Sequence, residues 1–319
     1  MNKKLILFLS LLLIIFLAPA QTDITVPELK EHIQYLTSDK NAGRYPGGHL
    51  NRRAVRYIKH QFKDYGIPPF HKRYKQPFMA QLRVKEGNPP KKDVKTWNVI
   101  GYIEGNDPRL KDEYIVLGAH YDHLGYGGGP SSKSNKIALH PGADDNASGT
   151  AALLEIAEKL EAHKDSLKRS VLLIAFGAEE QGLLGSRYFT ENPVVPLSQI
   201  VLMVNMDMVG RLNDQNQVFM GGAGTFPEGM DLMSKLGIAE GLSPIVHAGS
   251  VGGSDHVSFY KKGISVLGLH TGGHPQYHTP EDTAHLINYP GEKKVCEYIY
   301  HVLMTVAATD RPMRFIPQD

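Results

Sequence analysis

The chain has 319 residues, of which 41% are hydrophobic and 21% charged, values typical of a globular protein and not of a disordered one. Lysine and arginine outnumber aspartate and glutamate by only 35 to 33, and no long basic run interleaved with aromatic residues occurs, which argues against nucleic acid as a main partner. The single cysteine, Cys296, excludes an intrachain disulfide and a cysteine-based zinc cluster.

The first 20 residues are predicted to be a signal peptide. Two lysines precede an apolar run at 5–17, and a small-residue cleavage site ends at Ala20. The run is too short to cross about 30 Å of hydrocarbon as a helix, and no longer apolar segment follows it. We therefore expect a secreted or periplasmic protein without a membrane anchor after cleavage, whose single domain covers residues 21–319.

Hydrophobic periodicity predicts helices that alternate with strands along the rest of the chain. In chain order, we expect helices at 26–36 and 51–65, strands at 96–104 and 114–119, a helix at 148–160, strands at 171–176, 200–206 and 264–269, and a helix at 292–307. The last three strands are continuously apolar, as strands buried on both faces of a parallel sheet are. The pattern predicts a three-layer α/β/α sandwich around a mostly parallel mixed sheet.

Charged or metal-ligating side chains follow three of the predicted strands. In chain order they are His120 and Asp122, Glu179 and Glu180, and Asp207. Because functional sites in open α/β sheets form at the carboxyl edge, these side chains are expected to lie together. Two further segments, 142–149 and 277–282, also carry acids, and the second of them a histidine.

Most of these residues have a simpler structural interpretation when each is taken alone. The aspartates at 144 and 145 could cap the helix that follows them, the paired glutamates could lie in the first turn of a helix, and His120 could simply end a strand. Asp207 is harder to explain in this way, because a buried carboxylate without a partner is costly.

Taken together, the acids and histidines indicate a metal site. Several carboxylates at one sheet edge would repel each other, and bound divalent cations would relieve that repulsion. Two histidines and three carboxylates without a thiolate suit zinc, and five such ligands can hold two ions if one carboxylate bridges them.

Five segments in order resemble the co-catalytic zinc aminopeptidases, a family that includes secreted bacterial leucine aminopeptidases, aminopeptidase Y and the glutamate carboxypeptidase II group. The segments are GAHYDH (118–123), GADDNASG (142–149), AEEQGLLGS (178–186), NMDMVG (205–210) and YHTPEDT (277–283). The stretch at 42–47 is also similar to the family's N-terminal region. The resemblance implies a zinc-peptidase catalytic domain over 21–319 that hydrolyses N-terminal residues from peptide substrates.

The resemblance also implies a ligand set for two zinc ions. Its members are His120 and Asp207 for one ion, Glu180 and His278 for the other, and Asp145 as the bridge between both.

The same resemblance implies catalytic roles around this ligand set. Asp122 would lie behind His120 and fix its tautomer, Glu179 would be the general base, and Tyr277 would stabilise the oxyanion. The peptide bond that follows Asp145 would be cis. No ligand role falls to Asp144 or to the other histidines, among them His123, His140, His256 and His274.

Three alternatives remain open at this stage. Carboxypeptidase or dipeptidase action would use the same site. A glutaminyl cyclase, which is a single-zinc acyltransferase of the same fold, would differ from this chain in the segments 142–149 and 178–186. A catalytically inactive binding domain would have lost Glu179 or a ligand, and none of these residues is missing.

Overall fold

A computed structural model describes residues 23–83, 93–127, 129–249 and 252–318. The predicted signal peptide at 1–20 lies outside the described residues. Within those ranges, no helix combines the length and the apolar character needed to cross a bilayer.

Seven α-helices and ten strands occur in the described part of the chain. The helices are α1 (Val26–Thr37), α2 (Asn51–Asp64), α3 (Gly149–Ala162), α4 (Leu184–Glu191), α5 (Gly229–Ala239), α6 (His256–Tyr260) and α7 (Tyr289–Ala308). The strands are β1 (Lys75–Ala80), β2 (Val94–Ile103), β3 (Tyr114–His120), β4 (Gly125–Tyr126), β5 (Leu139–His140), β6 (Ser170–Phe176), β7 (Ile200–Met206), β8 (Gln217–Gly221), β9 (Ser243–Val246) and β10 (Val266–His270).

All nine predicted elements are present, and their ends differ from the predicted ends by at most a few residues. Local capping explains two of the starting points: the Thr25 hydroxyl accepts a hydrogen bond from the amide of Glu28 at the start of α1, and the Asn288 side chain accepts one from Gly291 at the start of α7. The elements that the sequence did not predict include β1, β8, β9 and the helices α4 to α6. They are short, with at most eleven residues. Segments of this length contain too few apolar residues at helix or strand spacing to predict an element.

Eight strands form one mixed sheet in the order β1-β2-β6-β3-β7-β10-β8-β9. Its four central strands, β6, β3, β7 and β10, run parallel to one another. Antiparallel pairs flank this parallel centre on both sides, where β2 meets β6 and β8 meets β10. The predicted sheet is therefore confirmed, with antiparallel strands toward its edges.

Helices cover both faces of the sheet, which confirms the three-layer prediction. Leu173 of β6 packs in a large apolar cluster with residues of α1, α2, α3 and α7, whereas its neighbour Ile174 packs on the opposite face with Phe189 of α4 and Phe259 of α6. Successive residues of a strand point to opposite faces, so a strand buried on both sides reads as a continuous apolar run.

The parallel centre brings four carboxyl ends to one edge of the sheet. In the register of β3 and β6, His120 pairs with Phe176, directly before the loop that carries the paired glutamates. Gly118 of β3 pairs with Asn205 of β7, so His120 and Asp207 both lie two residues further on, at the same level. This register positions the site.

Candidate metal centre

Three predicted ligands form a first cluster at the carboxyl edge of the sheet. His120 Nε2 lies 3.3 Å from Asp145 Oδ1 and 3.4 Å from Asp207 Oδ1. His120 and Asp145 are buried, and the side chain of Asp207 is 23% exposed. All three offer ligand atoms within 4.8 Å of one another. Two anions and one imidazole nitrogen at these distances could hold one cation.

A second cluster forms on the other side of Asp145. His278 Nε2 lies 2.9 Å from Asp145 Oδ2 and 3.2 Å from Glu180 Oε2. Its other ring nitrogen, Nδ1, lies 2.9 Å from the carbonyl oxygen of Ser131, which fixes the orientation of the ring.

The carboxylate of Asp145 belongs to both clusters through different oxygens. Oδ1 faces His120 and Oδ2 faces His278, as a carboxylate that bridges two ions must do. The peptide bond between Asp145 and Asn146 is cis, in agreement with the sequence prediction.

The turn that carries Asp145 is held by contacts on two sides. The carboxylate of Asp282, from the segment that also carries His278, accepts hydrogen bonds from the amides of Asp144 and Asp145 at 3.0 and 3.1 Å. On the other side, Asn146 donates its side-chain amide to the carbonyl oxygen of Met206 at the end of β7. The carboxylate of Asp145 is therefore placed by contacts with both neighbouring segments.

The carboxylate of Asp144 belongs to neither cluster and instead accepts hydrogen bonds from neighbouring loops. Its Oδ1 accepts hydrogen bonds from the amide of Gly210 at 2.8 Å and from the hydroxyl of Ser148 at 3.1 Å, and its Oδ2 lies 3.2 Å from His274. Asp144 therefore connects the turn before α3 with the loop after β7.

His123 lies in the second cluster, although the sequence pattern gave it no role. Its Nδ1 is 2.9 Å from Glu180 Oε1 and 3.8 Å from Asp145 Oδ2, and the residue is fully buried. The two oxygens of Glu180 are thus divided between His123 and His278. The signal that could have found His123 is its position three residues after His120, in the loop directly after the same strand.

Asp122 contacts the first cluster mainly through its main chain. The nearest acceptor for Nδ1 of His120 is the carbonyl oxygen of Asp122 at 3.2 Å, and the carboxylate Oδ1 lies 3.9 Å away. The same Oδ1 accepts a hydrogen bond from the amide of Glu179 at 2.9 Å. Asp122 therefore connects the loop after β3 with the loop after β6.

Glu179 and Tyr277 lie beside the two clusters. Glu179 Oε2 is 4.0 Å from His120 Nε2. The ring of Tyr277 stacks on that of His278 with centroids 3.8 Å apart. Both residues line one cavity of about 220 Å³ together with His120, Asp145, Asp207 and His278.

The carboxylates of the two clusters raise the pKa values of the groups around them. Burial raises the pKa of Glu179 well above its usual range, and the charges of Glu180 and Asp207 act in the same direction. Burial alone would lower the pKa of His278, but its contacts with Asp145 and Glu180 outweigh burial and raise it to about 10.

The residues fit zinc in donor type and in spacing. Zn–N and Zn–O bonds of about 2.0–2.1 Å in a tetrahedron separate ligand atoms by about 3.3 Å. The separations around His120 are 3.3 and 3.4 Å, and those around His278 are 2.9 and 3.2 Å. Imidazole and carboxylate donors without a thiolate are a common zinc set.

The fold is an α/β sandwich, and the donor set at the carboxyl edge of its sheet suits zinc. The chain belongs to peptidase family M28, whose sequence model matches residues 98–303.

Two curated relatives of the chain are named as aminopeptidases. The chain is 31% identical over 186 residues to leucine aminopeptidase 2 of Trichophyton equinum, a match that covers 56% of this chain and 34% of the relative. It is 30% identical over 205 residues to aminopeptidase YwaD of Bacillus subtilis, covering 58% and 39% respectively. The chain thus spans roughly a third of the length of these relatives.

Solved structures share the fold at lower identity. The aminopeptidase from Aneurinibacillus sp. strain AM-1 superposes with a TM-score of 0.70 at 20% identity, covering 93% of this chain and 97% of that one. Glutaminyl cyclase from Porphyromonas gingivalis superposes with a TM-score of 0.71 at 21% identity, covering 89% and 99%. The fold alone therefore does not separate hydrolysis from cyclisation.

Proposed function

We propose that the protein is a secreted two-zinc aminopeptidase that removes N-terminal residues from peptides. The observation that carries this proposal is the division of the Asp145 carboxylate between two ligand clusters that line one cavity. Two adjacent cations are a recurrent device for hydrolysis, whereas a single-ion site needs no bridging carboxylate.

Five residues would hold the two ions. His120 and Asp207 would bind one ion, Glu180 and His278 the other, and Asp145 both. Bound zinc would polarise the scissile carbonyl group and lower the pKa of the attacking water.

Glu179 would transfer the proton. Its carboxylate lies beside His120, and its amide is tied to Asp122, so the side chain enters the cavity from a fixed loop. It would take a proton from the attacking water and return it to the leaving amine.

Tyr277 and Asp122 would support the reaction from opposite sides. The Tyr277 hydroxyl would donate a hydrogen bond to the oxyanion of the tetrahedral intermediate. Asp122 would keep His120 in the tautomer that leaves Nε2 free for the metal.

The shape of the cavity supports cleavage at a chain end. Beyond the two clusters its wall combines the apolar side chains of Met208 and Leu269 with polar residues and glycines, and its volume of about 220 Å³ limits what can enter beside the ions. The polar wall residues are Asn205, Ser254, His256 and His270. A free α-amino group would be attracted to the excess carboxylates of the site. We expect apolar N-terminal residues of medium size to be preferred.

The test is turnover by the purified chain from residue 21 onward, loaded with zinc. We expect release of p-nitroaniline from leucine p-nitroanilide, no release from its N-acetylated form, and two zinc ions per chain. Cleavage of N-blocked peptides at the carboxyl end would instead identify a carboxypeptidase, and pyroglutamate formed without hydrolysis would identify a glutaminyl cyclase. Either result would overturn the proposal.

A further inference from the structure

A second cavity of about 520 Å³ lies apart from the metal centre and is lined by basic side chains. Six cationic residues from α2, β1, β2 and the segment before β1 form what we call the basic groove. They are Lys59, Lys63, Lys72, Arg73, Lys75 and Lys95. Among the described residues, no acidic one lines the groove, and none lines both the groove and the cavity of the metal centre.

The cations of the basic groove have no acidic or hydrogen-bonding partner within the described ranges. None of the six makes an ion pair or a side-chain hydrogen bond there, and five of them are exposed. On α2, Arg52, Arg56, Lys59 and Lys63 follow one another at spacings of three and four residues, so like charges are neighbours on one helix face. Such pairs destabilise a helix. The ring of Trp97 lies beside Arg52 and the carboxyl end of the helix favours Lys63, but within the described ranges no acidic side chain pairs with the four cations.

Protection of a sheet edge explains only part of this pattern. Lysines on an edge strand discourage pairing with other chains, and Lys75 of the edge strand β1 fits that role. Lys59 and Lys63 are on a helix, where there is no strand edge to protect. A generally basic composition is not the cause either, because the whole chain carries 35 basic and 33 acidic residues.

We propose that the basic groove binds an anionic polysaccharide that bears sulfate or carboxylate groups. The stripe on α2 spans about 16 Å from Arg52 to Lys63, at 1.5 Å per residue, so several charged groups along one polymer chain could be contacted at once. Each contact would release counterions from the polymer, which makes such binding favourable and dependent on salt concentration.

The aromatic side chains of the groove disfavour single-stranded nucleic acid. Binding of unpaired bases relies on exposed rings on which they stack. Trp97 is only 8% exposed, and its ring already has Arg52 at 5.5 Å and Lys75 at 5.8 Å from its centroid. A polymer without bases needs no such ring.

The shape of the groove disfavours a membrane surface and an acidic peptide. A flat bilayer could touch the exposed cations from outside but could not fill the cavity of about 520 Å³ between them. An extended peptide could add to the edge strand β1, but Pro77 in the middle of β1 lacks the amide that such pairing requires.

The experiment measures binding of a heparin oligosaccharide to the full chain from residue 21 onward by isothermal titration calorimetry at several salt concentrations. We expect binding that weakens steeply with salt, and a loss of about tenfold or more in the variant Lys59→Glu/Lys72→Glu/Lys95→Glu. The matched control is Lys235→Glu/Lys261→Glu/Lys262→Glu, which changes three other exposed lysines and hence the net charge by the same amount. Hydrolysis of leucine p-nitroanilide by both variants reports on the fold and on the metal centre independently.

Three outcomes would overturn the proposal. The control variant could lose as much affinity as the groove variant, which would make the effect one of net charge. The wild-type chain could fail to bind heparin at low salt. Single-stranded DNA, a polyglutamate peptide or phosphatidylglycerol vesicles could bind more tightly than heparin, which would assign the groove to another class of partner. Loss of peptidase activity alone would leave the proposal for the groove standing and contradict only the proposed function.

Discussion

Asp145 is the residue on which both ligand clusters depend, because each of its oxygens faces a different histidine. We expect Asp145→Ala to reduce occupancy at both ions, whereas His120→Ala weakens mainly one. Metal content per chain after dialysis, measured by atomic emission, checks this. Two tightly held zinc ions in Asp145→Ala would rule out the bridge.

Glu179 is expected to transfer protons without binding metal. Glu179→Gln keeps the shape and the amide contact to Asp122 but removes the basic oxygen, so kcat should fall at least about 100-fold with the zinc content unchanged. Turnover by the fully loaded variant measures this. A variant that works at near wild-type rate would exclude Glu179 as the general base.

His123 is expected to orient Glu180, since its Nδ1 contacts the carboxylate oxygen that His278 does not. Loss of such a supporting contact typically weakens metal affinity 10- to 100-fold. We expect His123→Ala to raise the dissociation constant of one zinc ion by that factor, measured by competition with a chelating dye. The control is His140→Ala, which removes another buried histidine that contacts Ser132 and neither ligand cluster. Equal losses in both variants would assign His123 to packing.

At the scale of the elements, α7 carries a buried acid that no neighbour satisfies. Glu292 is fully buried, and neither carboxylate oxygen has a hydrogen-bond partner in the described structure. Burial raises its pKa well above the usual range, and the charges of Asp144 and Glu155 add to the effect. The folded chain therefore holds a proton that the unfolded chain releases above about pH 4.3.

This difference predicts how stability changes with pH. Between the unfolded and the folded pKa of Glu292, the folded state binds more protons, so this residue lowers the free energy of unfolding by about 1.4 kcal/mol for each unit of rising pH. Glu292→Gln removes that dependence. We expect the stability advantage of the variant over wild type to grow from pH 5 to pH 8, as measured by urea denaturation. An advantage that stays constant across this range would mean that Glu292 titrates normally.

Asp282 shows how one segment supports another across the site. Its buried carboxylate accepts hydrogen bonds from the amides of Asp144 and Asp145 and pairs with Arg211 at 3.0 Å. Because Asp282 is four residues from His278, the segment that carries His278 also holds the turn that carries Asp145. A displacement of the segment around His278 is therefore expected to displace Asp145 as well.

For the whole molecule, zinc binding and folding should be coupled, because five separate segments meet at the two clusters. A ligand that binds only the folded state stabilises it by about 2.7 kcal/mol at a concentration of 100 times its Kd. We expect chelator-treated protein to unfold at a temperature several degrees lower, and zinc to restore the loss in a calorimetric scan. Asp145→Ala should respond little to zinc. A melting temperature that is independent of zinc in the wild-type chain would contradict tight binding to the folded state.

The sequence by itself determined the central strands and the long helices, and it placed candidate ligands directly after strands, because continuous apolar runs and acids that follow strands are local features. It did not determine the short strands toward the sheet edges, whose pairing depends on neighbours far away in the chain. Only the tertiary structure brought His123 to Glu180 and gathered six cations from residues 59 to 95 into one groove. Contacts between distant segments depend on how the layers pack, and no local pattern records that packing.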